Sequence, residues 1–173
     1  MSRGNRVNIV TLGCSKNTVD SQKLMRQLEA GGYRVESDSA WPADITIINT
    51  CGFIHDAKEE SVDTIIRHAE AIRRESGGKL FVMGCLVERY RNELHHELPE
   101  VDGWFGVNRP QEVISRLGLA YRPELNGERI LTGPSHYAYL KVSEGCDRTC
   151  AFCAIPDIRG RYRIRTCVGV SRR

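Results

Sequence analysis

Residues 45–85 read ITIINTCGFIHDAKEESVDTIIRHAEAIRRESGGKLFVMGC. Ile45 to Asn49 is a β-rich apolar run of the length of a buried strand. Val62, Ile65, Ile66, Ala69 and Ile72 then recur at helical spacing. Asp56 is the expected N-cap of that helix, with Glu59 three residues on as its capping-box partner. Gly77-Gly78 stops it, and Leu80 to Met83 is a second strand. A strand, a helix and another strand in this order form a unit of a parallel sheet with helices packed on its faces.

The same alternation extends both ways. Upstream, Val7 to Leu12 is a strand and Val19 to Ala30 a helix with Leu24 and Leu28 on one face. Gly31-Gly32 ends that helix, Tyr33 to Val35 is a short strand, and Trp41-Pro42 marks a turn. Downstream, Leu86 to Leu98 is a polar helix closed by Pro99, Val101 to Val107 a further strand, and Pro110 opens a short helix carrying Val113, Ile114 and Leu117. The predicted fold class is therefore α/β, with one parallel-sheet domain over residues 5–118. Residues 119–135 are rich in turn formers and read as a linker. Tyr137 to Val142 is expected to be a new strand opening a second, incomplete unit over residues 136–173.

Composition narrows the function classes. The 40% hydrophobic and 27% charged content suits a globular domain with a real core. No apolar run approaches the ~18 residues needed to span a membrane, and Met1 to Gly13 has no signal-peptide pattern, so the expectation is a cytoplasmic protein. The net charge of +3 is uneven. Lys141, Arg148, Arg159, Arg161, Arg163, Arg165, Arg172 and Arg173 face only Glu144, Asp147 and Asp157 in the last segment, and residues 1–140 are mildly acidic. The larger part thus lacks the basic footprint of a nucleic-acid binder. The basic end suits an anionic ligand or RNA, or a set of solvated arginines.

Seven cysteines in such a chain point to metal or catalysis and not to disulfides. Cys146-Asp-Arg-Thr-Cys150-Ala-Phe-Cys153 has the spacing C-x3-C-x2-C. Three thiolates this close can hold three irons of a cubane cluster and leave the fourth open to a chelating substrate. A zinc site is the competing reading, but zinc sites typically pair two such units or add histidines. Phe152 either packs or stacks on an adenine ring. Cys14, Cys51 and Cys85 are far apart in sequence, yet each directly follows a predicted strand. Parallel strands place those ends on one carboxyl edge, where open α/β sheets bind ligands. The three thiols are expected to converge there, with nearby helix N-termini favouring thiolate. Any one of them alone would read as a small buried residue.

The loop around Cys146 resembles the signature of radical S-adenosylmethionine enzymes, C-x3-C-x-aromatic-C. Gly13-Cys14-Ser15-Lys16-Asn17 with Asp20-Ser21, Asn49-Thr50-Cys51-Gly52-Phe53-Ile54, and Met83-Gly84-Cys85 resemble the three N-terminal motifs of the methylthiotransferase family. The resemblance covers about residues 6–163 and implies two [4Fe–4S] clusters, one on Cys14, Cys51 and Cys85, one on Cys146, Cys150 and Cys153, with S-adenosyl-L-methionine at the second. It implies a chain that begins a radical α/β barrel, and Ser15, Lys16, Asn17 and Asn49 as candidates to shape the first pocket. Ser15-Lys16-Asn17, and Cys51-Gly-Phe-Ile followed by Ala57-Lys-Glu-Glu-Ser61, are similar to the RimO type, which modifies the β-carbon of an aspartate in a small-subunit ribosomal protein. Ile155-Pro156 and Arg159-Gly160 suit this branch and the branch that modifies adenosine in tRNA. The alternatives are thus a tRNA methylthiotransferase and a non-enzymatic metal-binding fragment. The family continues well beyond residue 173, so a truncated chain, inactive by itself, is expected. Ile164 to Arg173 does not resemble the family's continuation, and Cys167 matches no ligand. Electron donor, sulfur source and oligomeric state have no signal in the sequence.

Overall fold

The computed structural model describes residues 5–39, 43–74 and 77–164. The Trp41-Pro42 turn, Cys167 and the rest of 165–173 lie outside the described residues. Five strands, β1 (Arg6–Thr11), β2 (Arg34–Ser37), β3 (Ile45–Thr50), β4 (Lys79–Gly84) and β5 (Gly103–Phe105), form one sheet in the order β2-β1-β3-β4-β5. Every pairing is parallel. Between them run α1 (Ser15–Ala30), α2 (His55–Arg74) and α3 (Cys85–Glu97), and α4 (Pro110–Arg116) follows β5. This is the strand order of a flavodoxin-like doubly wound sheet, in which the direction of winding reverses between β1 and β3.

The central strand explains the two-sided core. All six residues of β3 are buried, as expected of a parallel strand covered on both faces. Alternation sends Ile45 and Ile47 to one face, where they meet Leu24, Met25 and Leu28 of α1 and Ile114 of α4. Ile48 points the other way, to Ile65 of α2 and to Leu86 and Val87 of α3. Phe81 and Phe105 meet edge-to-face at 5.8 Å, an arrangement aromatic rings favour.

Several boundaries differ from the sequence reading for identifiable reasons. α1 starts four residues earlier, at Ser15. Its first turn is polar and so invisible to hydrophobic periodicity, but Asn17 is buried there through hydrogen bonds from Nδ2 to the carbonyls of Leu12 and Thr50. α2 starts at His55, so Asp56 lies inside its first turn and is not the N-cap. β5 is shorter than 101–107, and just before it the Asp102 amide donates to the Leu80 carbonyl while its carboxylate, in place of a backbone carbonyl, accepts from the Leu80 amide.

Residues 119–135 carry a short 3-10 turn, Pro123–Leu125, and lie along α1. Ile130 donates its amide to the Gln22 carbonyl, Gln27 Nε2 donates to the Arg122 carbonyl, and Arg26 pairs with Glu128 at 2.9 Å. Tyr137 to Val142 is not a strand. No other described strand lies beside it to complete its hydrogen bonds, and Tyr137, Tyr139, Leu140 and Val142 are exposed. The chain instead forms a two-stranded antiparallel pair, β6 (Ser143–Glu144) with β7 (Arg163–Ile164), around a short helix, α5 (Ile155–Arg159). No barrel continuation is visible among the described residues.

Candidate metal centre

The winding of the sheet carries Cys14, Cys51 and Cys85 to its carboxyl edge. Cys14 stands at the N-cap of α1 and Cys85 is the first residue of α3. Cys51 directly follows β3, so Cys14 and Cys51 flank the switch point between β1 and β3. Their loops are pressed together through glycines. A Cβ on Gly13 would lie 2.5 Å from Cys51 Cβ and 2.9 Å from its Sγ, and Gly13 has φ +87°. A Cβ on Gly84, φ +109°, would lie 2.5 Å from the Thr50 carbonyl oxygen. Both positions combine a left-handed backbone with a space that no side chain can enter.

Polar side chains fix these loops. Asn49 Nδ2 donates to the Asn17 carbonyl and to Ser21 Oγ, both at 3.0 Å, and Ser21 Oγ also receives the Thr11 hydroxyl at 2.8 Å. Ser61, buried on α2, accepts the Cys51 amide at 3.1 Å and donates to the Cys51 carbonyl at 2.9 Å. Cys51 and Cys85 are buried and Cys14 is exposed. Burial pushes the Cys85 thiol up, against the lowering charge and hydrogen bond of Arg159, while the thiolates of Cys51 and Cys14 push it further up. At Cys85 loss of hydration outweighs the charge and hydrogen bond of Arg159 that favour ionisation.

The second set is local. Cys146 and Cys153 are half-buried and Cys150 is exposed on the loop between β6 and α5. The Cys146 amide donates to the Gly160 carbonyl at 3.1 Å, the Cys153 amide to the Cys150 carbonyl at 3.2 Å, and the Arg148 amide to Cys146 Sγ at 3.5 Å. Gly145, φ +73°, lets the loop pass against the Gly160 and Arg161 carbonyls, where a Cβ would clash. The three cysteines line an open cavity of about 610 Å³ with Thr149, Asp157 and Tyr162. Phe152 is 96% exposed.

A buried ionic junction joins the two sets, and the sequence reading missed it. Lys141 and Arg159, counted there among a basic segment, have side chains only 2% and 3% exposed. Lys141 Nζ reaches Asp20 Oδ1 at 2.6 Å and pairs with Glu144. Arg159 Nη1 reaches Glu144 Oε1 at 3.0 Å and Asp20 Oδ2 at 3.4 Å. Its Nη2 donates to Asn17 Oδ1 at 2.7 Å and to Cys85 Sγ at 3.5 Å. Lys16 Nζ donates to the Ser143 carbonyl at 3.0 Å. Burial pushes the Glu144 carboxyl up, but the hydrogen bonds and charges of Lys141 and Arg159 prevail and hold it below the usual carboxylate range. Burial disfavours the Arg159 cation, and the anionic forms of Cys85, Glu144 and Asp20 more than restore it. The signal in the sequence was pairing: Asp20 lies in the Cys14 motif, and Glu144 and Arg159 bracket the Cys146 loop. Only the fold shows that these charges meet.

Each donor set is three thiols, and that chemistry fits a cysteine-ligated cluster. Four thiolates around one zinc, each at ~2.3 Å, stand roughly 4 Å apart. Among the described residues, the only three metal-ligating groups within 4.8 Å of one another are His55, Asp56 and Glu59, all exposed, so neither cysteine set closes this tightly.

The fold and these sites define an α/β protein with one thiol set at a topological switch point and a second docked against it. The chain belongs to the uncharacterized protein family UPF0004, whose model matches residues 6–106. It is 57% identical over 159 residues to the ribosomal protein uS12 methylthiotransferase RimO of Phocaeicola vulgatus, covering 91% of this chain and 37% of that protein. It is 58% identical over 160 residues to the protein of the same name from Bacteroides thetaiotaomicron (91% and 36%), and 54% identical over 164 residues to that of Porphyromonas gingivalis (94% and 38%). The chain thus spans well under half the length of these relatives. No helix among the described residues is long and apolar enough to cross a membrane.

Proposed function

We propose that this chain belongs to a methylthiotransferase acting on the β-carbon of an aspartate in a small-subunit ribosomal protein, the substrate named in its relatives being uS12. The observation that carries the reading is the meeting of Cys14, Cys51 and Cys85 at the carboxyl edge of the parallel sheet. In this reading those residues hold one [4Fe–4S] cluster, and Cys146, Cys150 and Cys153 hold a second that presents an open iron to S-adenosyl-L-methionine. The bound clusters and S-adenosylmethionine would supply one-electron chemistry at an unactivated carbon.

The chain's own residues provide ligands and rigidity. Asn17, Asn49, Ser21 and Ser61 fix the backbone of the first cysteine loops. The ionic junction holds the Cys146 loop against them. Phe152 is assigned to the adenine of S-adenosylmethionine, since its ring is exposed beside Cys153 and free to stack.

Mass spectrometry of a strain lacking the gene tests the substrate. Loss of the methylthio group from the uS12 aspartate, with tRNA methylthioadenosine retained, is expected. Loss of the tRNA modification with the aspartate still modified would move the assignment to tRNA.

A further inference from the structure

Arg159 comes from the segment carrying the second cysteine set, six residues after Cys153, yet its guanidinium lies against the first. Its two terminal nitrogens divide the work. Nη1 faces the carboxylates of Glu144 and Asp20. Nη2 gives one N–H to Asn17 Oδ1 at 2.7 Å and the other to Cys85 Sγ at 3.5 Å. The side chain is 3% exposed, so this donor is not exchanged for water. A guanidinium keeps its charge across the accessible pH range and its planar fork holds all these partners at once.

We infer that Arg159 is a positioning residue that raises the reduction potential of a cluster held by Cys14, Cys51 and Cys85, through its hydrogen bond to Cys85 Sγ. The inference rests on the cluster assignment proposed above. The physical reason is general. Adding an electron to a thiolate-ligated cluster increases the negative charge on its sulfurs, and a donor aimed at a ligand sulfur stabilises the more negative state. The donor here is charged and desolvated, so its field is little screened by solvent. Glu144 and Asp20 offset its net charge but sit on the other nitrogen, which leaves the directional bond to sulfur in place. Because the residue belongs to the second cysteine segment, docking of that segment and the redox state of the first site are linked through one side chain.

The test uses this chain with Cys146, Cys150 and Cys153 all changed to Ala, reconstituted anaerobically with iron and sulfide. It measures iron content and then the midpoint potential by a redox titration followed by electron paramagnetic resonance. Arg159→Lys keeps a charge but not the fork. Arg159→Met combined with Glu144→Gln removes one cation and one anion together, so neither is left buried alone and the Lys141–Asp20 pair remains. With iron content unchanged, the double variant is expected to titrate at a more negative potential than its parent, and Arg159→Lys to fall between. An unchanged or more positive potential at equal iron overturns the inference. Loss of iron from both variants also overturns it, because Arg159 would then only hold the fold. If the parent itself fails to take up about four irons, the cluster assignment is what fails.

Discussion

The two cysteine sets reach similar chemistry by opposite routes. Cys146, Cys150 and Cys153 are gathered by eight residues of local sequence on a loop whose cavity is open to solvent. Cys14, Cys51 and Cys85 are gathered by the whole sheet, on three strand-to-helix connections packed closely together through glycines. The local set depends mainly on its spacing and a few nearby contacts, and the dispersed set depends on every residue that holds the strands in register. Damage to the fold should therefore disable the first site long before the second.

The largest effect is expected at Gly84. Gly84→Ala places a Cβ against the Thr50 carbonyl at a left-handed backbone position. Strain and overpacking there should together cost about 2–5 kcal/mol, read as a lowered denaturant midpoint. Iron uptake at the dispersed set should fall with it while the Cys146 set still binds. Equal loss at both sets would break the comparison.

A smaller effect comes from the junction between the two regions. Glu144 is held below its ordinary value of 4.5 in the fold. A carboxyl lowered on folding contributes stability that is fully present above its unfolded value and is lost as pH falls through the folded one. Denaturation of the metal-free chain from roughly pH 5.5 to 3 should therefore show declining stability, with a shallower decline in Glu144→Gln. Identical slopes would mean that the junction contributes no pH-dependent stability.

The smallest effect is expected at Phe152. A side chain 96% exposed packs against nothing, so Phe152→Ala should change stability by no more than about 0.5 kcal/mol. A loss above ~1 kcal/mol would show that the ring has a packing role and weaken its assignment to adenine.

What was legible in the sequence follows from the range of each interaction. Strand runs such as Ile45–Asn49 and the α2 periodicity are local, and they placed the sheet, its parallel sense and the edge on which three cysteines meet. The polar first turn of α1 was not legible, because Asn17 earns its burial from carbonyls at Leu12 and Thr50 and not from hydrophobic pattern. The Tyr137–Val142 run has strand composition but no described partner strand, and composition cannot report a neighbour. The junction was hidden for the same reason: Asp20 and Arg159 are 139 residues apart, and each alone looks like a surface charge.

The most direct measurement is iron, sulfide and zinc analysis of the anaerobically reconstituted chain and of two triple variants, Cys14/Cys51/Cys85→Ala and Cys146/Cys150/Cys153→Ala. The account predicts about eight irons with matching sulfide in the parent, as two cysteine-ligated cubanes require, and about half that number in each variant. One zinc without sulfide, or iron unaffected by removing either set, would contradict it.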